Sequence, residues 1–140
     1  MACVGQSRSG EGANRLSQIA VPIYPWGDEF DPSKANTAET GIGTTTAVGA
    51  FPLGASPYGV LDMSGNVWEW TRSIQKVYPY NPADGREDLQ AGAPRVLRGG
   101  SFNYDRRSAR AIARLSYLPY LRSGLYGFRV VLIPVSASKP

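Results

Sequence analysis

The side chains that could carry chemistry in this chain are few, because the sequence contains no histidine and a single cysteine, Cys3. Serine–histidine–aspartate triads, cysteine–histidine pairs and histidine-ligated metal sites are therefore excluded. The lone cysteine also excludes an intrachain disulfide, so nothing here demands an oxidising compartment. What remains are carboxylates and amides, whose oxygens suit hard cations, and a set of arginines and tyrosines that suits binding.

The stretch RLSYLPYLRSGLYGF, residues 114–128, concentrates these binding side chains. Pro119 and Gly124 indicate turns, and turns at a protein surface are usually polar. This stretch nevertheless interleaves leucines and tyrosines with Arg114 and Arg122. Tyrosine, serine and glycine are the residues that antibody loops use, and arginine is enriched among interface hot spots. The composition of the segment therefore predicts a contact surface.

The whole chain has the size and composition of one small domain. It has 140 residues, 42% of them hydrophobic, with a net charge of +4, 16 glycines and 11 prolines. No apolar run approaches the roughly 18 residues of a membrane span, and the first residues lack the apolar core of a secretory signal. We expect a soluble protein that does not enter a membrane, and the sequence leaves its compartment open.

Short strands and long loops must position the surface, and we predict an α+β fold with antiparallel strands. Apolar runs at 58–73, 95–101 and 127–133 predict strands, the first after the turn SGN. The strands 95–101 and 127–133 are expected to be antiparallel neighbours, and RRSARAIAR, residues 106–114, to form about two helical turns. We expect a loosely ordered segment at 1–18, a domain at 19–134 and a tail at 135–140.

Four blocks of sequence, YPWGDEFDPSKANT, SPYGVLDMSGNVWEWT, RVLRGGSF and GFRVV, resemble the formylglycine-generating-enzyme (sulfatase-modifying factor) family. The resemblance covers about residues 20–132 and implies a C-type-lectin-like fold, in which a small sheet supports extended loops. The family domain usually has a comparable length upstream of YPWG, so the chain is either a compact version or a fragment.

The resemblance also shows what this chain lacks as an enzyme. Members that oxidise a sulfatase cysteine use two cysteines after RGGS, at positions that hold Tyr104 and Ala109 here. Relatives that form carbon–sulfur bonds need a histidine-bound iron, and the chain has no histidine. Because a thiolate or imidazole is required for either chemistry, we predict that the protein is not an enzyme.

The resemblance further implies structural calcium, held by loops that have little regular structure of their own. One site would use the side chains of Asp62 and Glu69 with the carbonyls of Gly65 and Val67. A second would use Asn36 and Thr37, with Glu39 or Thr40 beyond and a carbonyl from Ile42. Mixed carboxylate and carbonyl oxygens are the ligands that calcium prefers.

The same stretch departs from the family in a pattern. The family's polar segment between RGGS and GFR keeps its frame here as Arg110, Arg114, Pro119 and Arg122, while the positions between have become mostly Leu, Tyr and Ser. Residues 102–129 contain no Lys, Glu, Gln, Met or Trp, although ordinary usage would give about five. Those amino acids cannot be reached from the asparagine codons AAC or AAT by changing adenines alone.

Diversity-generating retroelements randomise adenines in that way, and their variable proteins include relatives of this family. The chain therefore resembles such a variable protein. It would be a non-catalytic scaffold whose surface at about residues 102–126 binds a protein or other macromolecular ligand. Ile112, Leu125 and Phe128 are expected to lie in the core. The predicted ligand residues are Tyr104, Asp105, Arg106, Leu115, Ser116, Tyr117, Leu118, Tyr120, Leu121, Ser123 and Tyr126.

Three other interpretations stay open on sequence alone. A redox enzyme of the same family would need another nucleophile, which the residues do not offer. The arginines and aromatics at 104–126 could bind single-stranded nucleic acid by stacking and phosphate contacts, but the small net charge disfavours this. A non-variable lectin-like accessory domain that binds peptide or glycan is the remaining alternative.

Overall fold

Four short strands form one sheet in the part of the chain that the structure, a computed structural model, describes: residues 21–132. The strands are β1 (Trp68–Ile74), β2 (Arg95–Arg98), β3 (Leu115–Tyr117) and β4 (Tyr126–Gly127), and two 3₁₀ helices, Ala38–Thr40 and Pro52–Gly54, precede them. The α component of the predicted α+β class is not confirmed, since helix within 21–132 is limited to these turns. The predictions for residues 1–18 and 135–140 lie outside the described residues.

The order of strands in the sheet is β3-β2-β1-β4. β2 pairs antiparallel with β1, where Trp70 lies opposite Leu97, and antiparallel with β3, where Leu97 lies opposite Leu115. A register shift follows in β1 between Trp70 and Ile74. The predicted strands after the SGN turn and at residue 95 are therefore confirmed, the second ending at Arg98.

The predicted pairing of 95–101 with 127–133 is wrong. β4 contains only Tyr126 and Gly127. It pairs in parallel with β1, with Trp68 opposite Tyr126 and Glu69 opposite Gly127. A β-branched run expresses a local preference, but a strand needs a neighbour to pair with. Among the described residues, no strand pairs with the chain beyond Gly127. Residues 128–132 therefore stay outside the sheet despite their β-branched composition.

The helix predicted at 106–114 is also absent, and turns take its place. Two helical turns are marginal on their own because helix nucleation is unfavourable. Here the backbone groups find distant partners instead: Ala111 N–H donates to the Ile23 carbonyl at 2.7 Å. The Ala111 and Ala113 carbonyls accept from the Arg98 guanidinium at 2.6 Å each. These contacts fasten the segment to the sheet in an irregular conformation.

The core lies around the middle of the sheet. Leu97 is fully buried, Trp68 is 3% exposed, and Val96 and Ile74 are buried beside them. The block GNVWEWT predicts that at least one of Trp68 and Trp70 is substantially buried near the sheet, and Trp68 confirms this prediction. The expectation that Ile112 and Phe128 are core residues is wrong, since they are 70% and 76% exposed. Both residues lie outside the strands of the sheet, and the described part of the chain does not cover their side chains.

Two glycines allow the loops to approach one another closely. A Cβ at Gly65 would lie 2.5 Å from the Asn36 carbonyl oxygen, and one at Gly100 would lie 2.9 Å from the Ser108 backbone. Both have positive φ angles, 80° and 79°, which other residues rarely adopt. The loop at 62–66 therefore packs against the backbone of Asn36, and the turn at 99–101 packs against the backbone of Ser108.

None of the helices between residues 21 and 132 has the length and apolar character to cross a bilayer.

Candidate binding face and the loop beneath it

The two positions that the resemblance assigns to cysteines are held in the structure by contacts that need no thiol. Ala109 is fully buried, and its carbonyl accepts a hydrogen bond from the Ser64 hydroxyl at 2.7 Å. Tyr104 is half-buried, with its ring edge-on to Trp68 at 5.7 Å between centroids. Neither side chain supplies the thiolate that the oxidising members use, and both side chains pack against the protein.

Aromatic rings from three strands meet on one face of the sheet. The Tyr126 ring of β4 lies 5.8 Å from Trp70 of β1 and 5.5 Å from Tyr117 of β3. Burial and the neighbouring Tyr117 side chain raise the pKa of Tyr126 to about 12. Aromatic pairs at these separations add to the free energy of packing beyond buried area. The cluster Trp70, Tyr117 and Tyr126, here called the aromatic cluster, therefore gives the face a rigid base.

The turn after β3 carries the most exposed of the predicted ligand residues. Tyr120 is 71% exposed and Leu121 is 40% exposed. The turn is closed by Leu121 N–H donating to the Leu118 carbonyl at 3.0 Å, and Ser123 Oγ accepts from Leu125 N–H at 3.2 Å. Its ends join β3 and β4, so a loop with apolar tips is held on two strands of the scaffold.

The other end of the predicted surface is charged and tied to the 3₁₀ helix at Ala38–Thr40. The Tyr104 carbonyl accepts from Ala38 N–H at 3.0 Å, and Arg106 N–H donates to the Glu39 carboxylate at 2.8 Å. Hydrogen bonding to the Arg107 guanidinium lowers the pKa of Asp105. The backbone of this end is therefore fixed, while the Arg106 side chain is exposed.

The predicted ligand residues divide into exposed and half-buried groups, and the rings of Tyr117 and Tyr126 meet on one face of the sheet. Arg106, Tyr120, Leu121 and Ser123 are exposed, and Tyr104, Asp105, Leu115, Ser116, Tyr117, Leu118 and Tyr126 are half-buried. Strand alternation sets Ser116 apart, since its neighbours Leu115 and Tyr117 share the face with Leu97 and Arg95. We call the set without Ser116 the binding face.

The loop predicted to hold calcium is bound by an arginine in the structure. Arg129 donates through Nε and Nη2 to the two carboxylate oxygens of Glu69, each at 2.5 Å. It also donates to the Leu61 carbonyl at 3.1 Å and the Asp62 carbonyl at 2.5 Å. Hydrogen bonding to Glu69 raises the pKa of Arg129. A guanidinium therefore already supplies positive charge to this loop.

These side chains fit a calcium ion only in part. Both Glu69 oxygens are taken by Arg129, and Asp62 Oδ2 accepts from Gly49 N–H at 2.8 Å. Among residues 21–132, no three side chains of His, Cys, Asp or Glu come together as ligands. Asp62 with the Gly65 and Val67 carbonyls keeps the chemistry that calcium prefers. Glu69 could join that set only if Arg129 released it.

The second predicted calcium position consists of buried groups, and all but the Thr37 hydroxyl have hydrogen-bond partners among residues 21–132. Asn36 and Thr37 are each 1% exposed. Asn36 donates through Nδ2 to the Thr44 carbonyl at 2.9 Å and accepts at Oδ1 from the Thr40 hydroxyl at 3.2 Å. The Ile42 N–H donates to the same hydroxyl at 3.3 Å. The arrangement explains the burial of Asn36 without an ion, and calcium here stays a prediction.

Sequence reasoning missed two residues of this region. Arg129 was read as part of a family motif, although an arginine in one motif and Glu69 in another carry complementary charge. Trp70 is half-buried and belongs to the aromatic cluster, a position that the sequence does not single out. Its spacing from Trp68 puts both rings on one face but suits two core residues equally well, and its partners in the cluster lie in distant segments.

The sequence matches a family model described as the sulfatase-modifying factor enzyme 1-like domain over residues 13–133. The chain therefore belongs to this family. It is 35% identical over 122 residues to the inactive C-alpha-formylglycine-generating enzyme 2 of Bos taurus, covering 76% of this chain and 36% of that protein. The chain thus spans little more than a third of that relative's length.

Two solved structures resemble the described fold. PvdO from Pseudomonas aeruginosa superimposes with a TM-score of 0.59 and 32% identity, covering 73% of this chain and 40% of that one. Treponema denticola variable protein 1 superimposes with a TM-score of 0.56 and 24% identity, covering 69% of this chain and 34% of that one. Both likenesses are consistent with a C-type-lectin-like fold, and the second concerns the fold alone.

Proposed function

We propose that the chain is a non-catalytic ligand-binding domain and the variable protein of a diversity-generating retroelement. The observation that carries this is the position of the predicted ligand residues. Tyr117 and Tyr126 meet over Trp70 on one face of the sheet, Tyr104 packs on Trp68, and Tyr120 is exposed in the turn between β3 and β4. A face built from several segments on a fixed framework is what a variable binding site requires.

The absence of catalytic groups supports binding rather than catalysis. Other members of the family are enzymes, so membership leaves activity open and the site must decide. With Tyr104 and Ala109 where the oxidising members carry cysteines, and with no histidine in the chain, the known chemistries of the family have no reactive group here. The name of the Bos taurus relative shows that inactive members occur.

The contrast between the scaffold and the binding face supports variation. Scaffold residues are packed so that a changed side chain would disturb them: Ser101 and Ala109 are fully buried, and Arg98 holds two carbonyls through its guanidinium. Tyr120 and Leu121, in contrast, project from a closed turn. The amino acids missing from residues 102–129 are those that adenine changes in AAC or AAT cannot produce. Side chains on this face can therefore change while the scaffold stays intact.

A macromolecular ligand suits the chemistry of the binding face. Tyrosine offers a large amphipathic ring that loses little conformational entropy on binding. Exposed leucine and tyrosine side chains on one surface are typical of interaction sites. Because the ends of the segment are tied to strands, less entropy is lost when a partner binds. We infer that the partner is a protein rather than a glycan, because apolar residues outnumber amide and acidic groups on the binding face.

Calcium is proposed as a secondary feature of the 62–69 loop. Asp62 and the carbonyls of Gly65 and Val67 would hold the ion, and binding to the native state would stabilise the loop by mass action. Because Arg129 already neutralises Glu69 in the structure, we propose that the affinity of wild-type protein for calcium is low.

A display experiment tests the function directly. We would diversify codons 104, 106, 118, 120 and 121 with AAC-derived mixtures and select against three unrelated purified proteins. A matched control library would diversify five codons in the exposed loop at 77–83, which also carries tyrosines. We expect specific binders from the first library at a frequency at least tenfold above the control. Equal recovery from both libraries would contradict a specialised binding face.

A further inference from the structure

The face of the sheet opposite the aromatic cluster contains a cavity of about 170 Å³. Thr71 and Val96 line it from the strands, and Tyr78 and Tyr80 from the loop that follows β1. Thr71 follows Trp70 and Val96 precedes Leu97, so alternation directs them away from the binding face. A water molecule occupies about 30 Å³ in the liquid, so the cavity has room for one small polar ligand.

Two arginines line this cavity without a carboxylate partner among residues 21–132: Arg98 and Arg114. The Arg98 guanidinium is oriented by the carbonyls of Ala111 and Ala113, each at 2.6 Å. Those bonds use two of its five N–H groups. Arg114 stacks over the Tyr78 ring at 4.2 Å and reaches the Lys76 carbonyl at 3.5 Å. Both cations are therefore positioned, with donors left to bind an anion.

The other charges around the cavity are accounted for. Arg86 also lines it, but its guanidinium binds the Asp84 carboxylate at 2.7 Å and lies over the Tyr80 ring at 4.6 Å. Lys76 also contacts Asp84. Glu87 is a carboxylate that contacts two lining residues, since it accepts from the Ser73 hydroxyl at 2.5 Å and the Tyr80 hydroxyl at 3.2 Å. Two uncompensated guanidinium groups therefore face one carboxylate, which leaves the cavity positive.

We propose that this cavity binds a tetrahedral oxyanion, a phosphate or sulfate group, free or as an ester. The planar fork of arginine matches such oxygens through paired hydrogen bonds, which are stronger when charged. Tyr78 lines the same space, and its phenol adds a donor for a group with several acceptor oxygens, whereas the Thr71 hydroxyl already donates to the Val96 carbonyl at 2.9 Å. The site lies on the other face from the binding face, so it does not depend on the proposed function.

Titration calorimetry with sodium phosphate and sodium sulfate tests the site, with chloride adjusted to constant ionic strength. We expect saturable binding of one anion per chain. Arg114→Gln should weaken it at least tenfold, and Arg114→Lys should weaken it too, because lysine lacks the fork and the stacked plane. Arg122→Gln removes the same charge from an exposed loop position and should leave the affinity within twofold.

A charge change of opposite sign supplies a second test that does not remove an arginine. Glu87→Gln takes away the carboxylate that contacts the lining residues Ser73 and Tyr80 and should tighten phosphate binding about threefold or more. Phenyl phosphate, titrated in parallel, separates the two sources: tighter binding than inorganic phosphate assigns the site to an ester, and weaker binding assigns it to the free ion. A titration of wild type whose heat of binding does not saturate would overturn the proposal. So would equal phosphate affinities in wild type, Arg114→Gln and Glu87→Gln.

Discussion

Tyr117 and Tyr126 lie on the two opposite edges of the sheet, yet their rings are 5.5 Å apart. They meet over Trp70 of β1, whose ring is 5.8 Å from Tyr126. The contact joins the two ends of the turn-rich segment 118–125 across the face of the sheet. The exposed turn between them is therefore supported at both ends by packed aromatic rings, and its tip can change without loss of this support.

The tip of the turn is expected to tolerate substitution. Tyr120→Ser with Leu121→Asn removes two exposed side chains, and we expect the free energy of unfolding to change by no more than about 0.5 kcal/mol. Leu97→Ala is the control, since Leu97 is fully buried and such truncations cost about 2–5 kcal/mol. Denaturant unfolding measures both. A cost for the turn variant near that of the control would place the turn in the core.

Alkaline pH is expected to destabilise the protein through Tyr126. Its folded-state pKa is about 12, against an ordinary value of 10.0. Between these values the unfolded chain loses a proton that the folded chain keeps, so the contribution is present below pH 10 and is lost as the pH rises towards 12. Tyr126→Phe should reduce this fall in stability.

The matched control for the alkaline transition is Tyr120→Phe, which removes an exposed hydroxyl and should leave the pH profile as in wild type. Phenolate absorbance, followed through the same range, should show one late tyrosine ionisation in folded wild type. That ionisation should be missing in Tyr126→Phe. Identical pH profiles for wild type and Tyr126→Phe would show that Tyr126 is not protected.

Arg129 is expected to determine how the 62–69 loop responds to calcium. In wild type both Glu69 oxygens accept from Arg129, so a chelator should lower the melting temperature little. Arg129→Gln leaves the carboxylates of Asp62 and Glu69 without that cation, and added calcium should raise its melting temperature more than that of wild type. Differential scanning calorimetry measures both.

Two further variants identify the calcium ligands. In the Arg129→Gln background, Glu69→Gln and Asp62→Ala should each reduce the calcium response, because each removes a carboxylate that would bind the ion. If calcium and chelator shift wild type and Arg129→Gln by the same amount, the predicted competition between arginine and ion does not exist.

The sequence predicted the elements that depend on local pattern. The alternating apolar run after SGN and the run at residue 95 became β1 and β2, and Trp68 became part of the core. The exposure of Tyr120 and Leu121 followed from a turn between two strands. In each case the information lies within a few residues, in periodicity and in turn-forming side chains.

Other features depend on partners that no local pattern specifies. The run at 127–133 has strand composition, but only Gly127 of it pairs with β1, in parallel, and residues 128–132 stay outside the sheet. The 106–114 segment has helical spacing, but Ile23 and Arg98 compete for its backbone groups. The ion pair of Glu69 with Arg129 joins residues 60 apart in sequence. Long-range pairing decided all three.

The central claim is that the binding face is written by adenine-directed variation, and sequencing the DNA that flanks the gene tests it most directly. The account predicts a reverse-transcriptase gene and a near-copy of codons 102–129. In that copy, differences from the gene fall at adenines, in codons such as 104, 118, 120 and 121, while the codons for Ser101 and Gly127 are unchanged. A flanking region without a reverse transcriptase, or a copy whose differences are spread over all four bases, would contradict it.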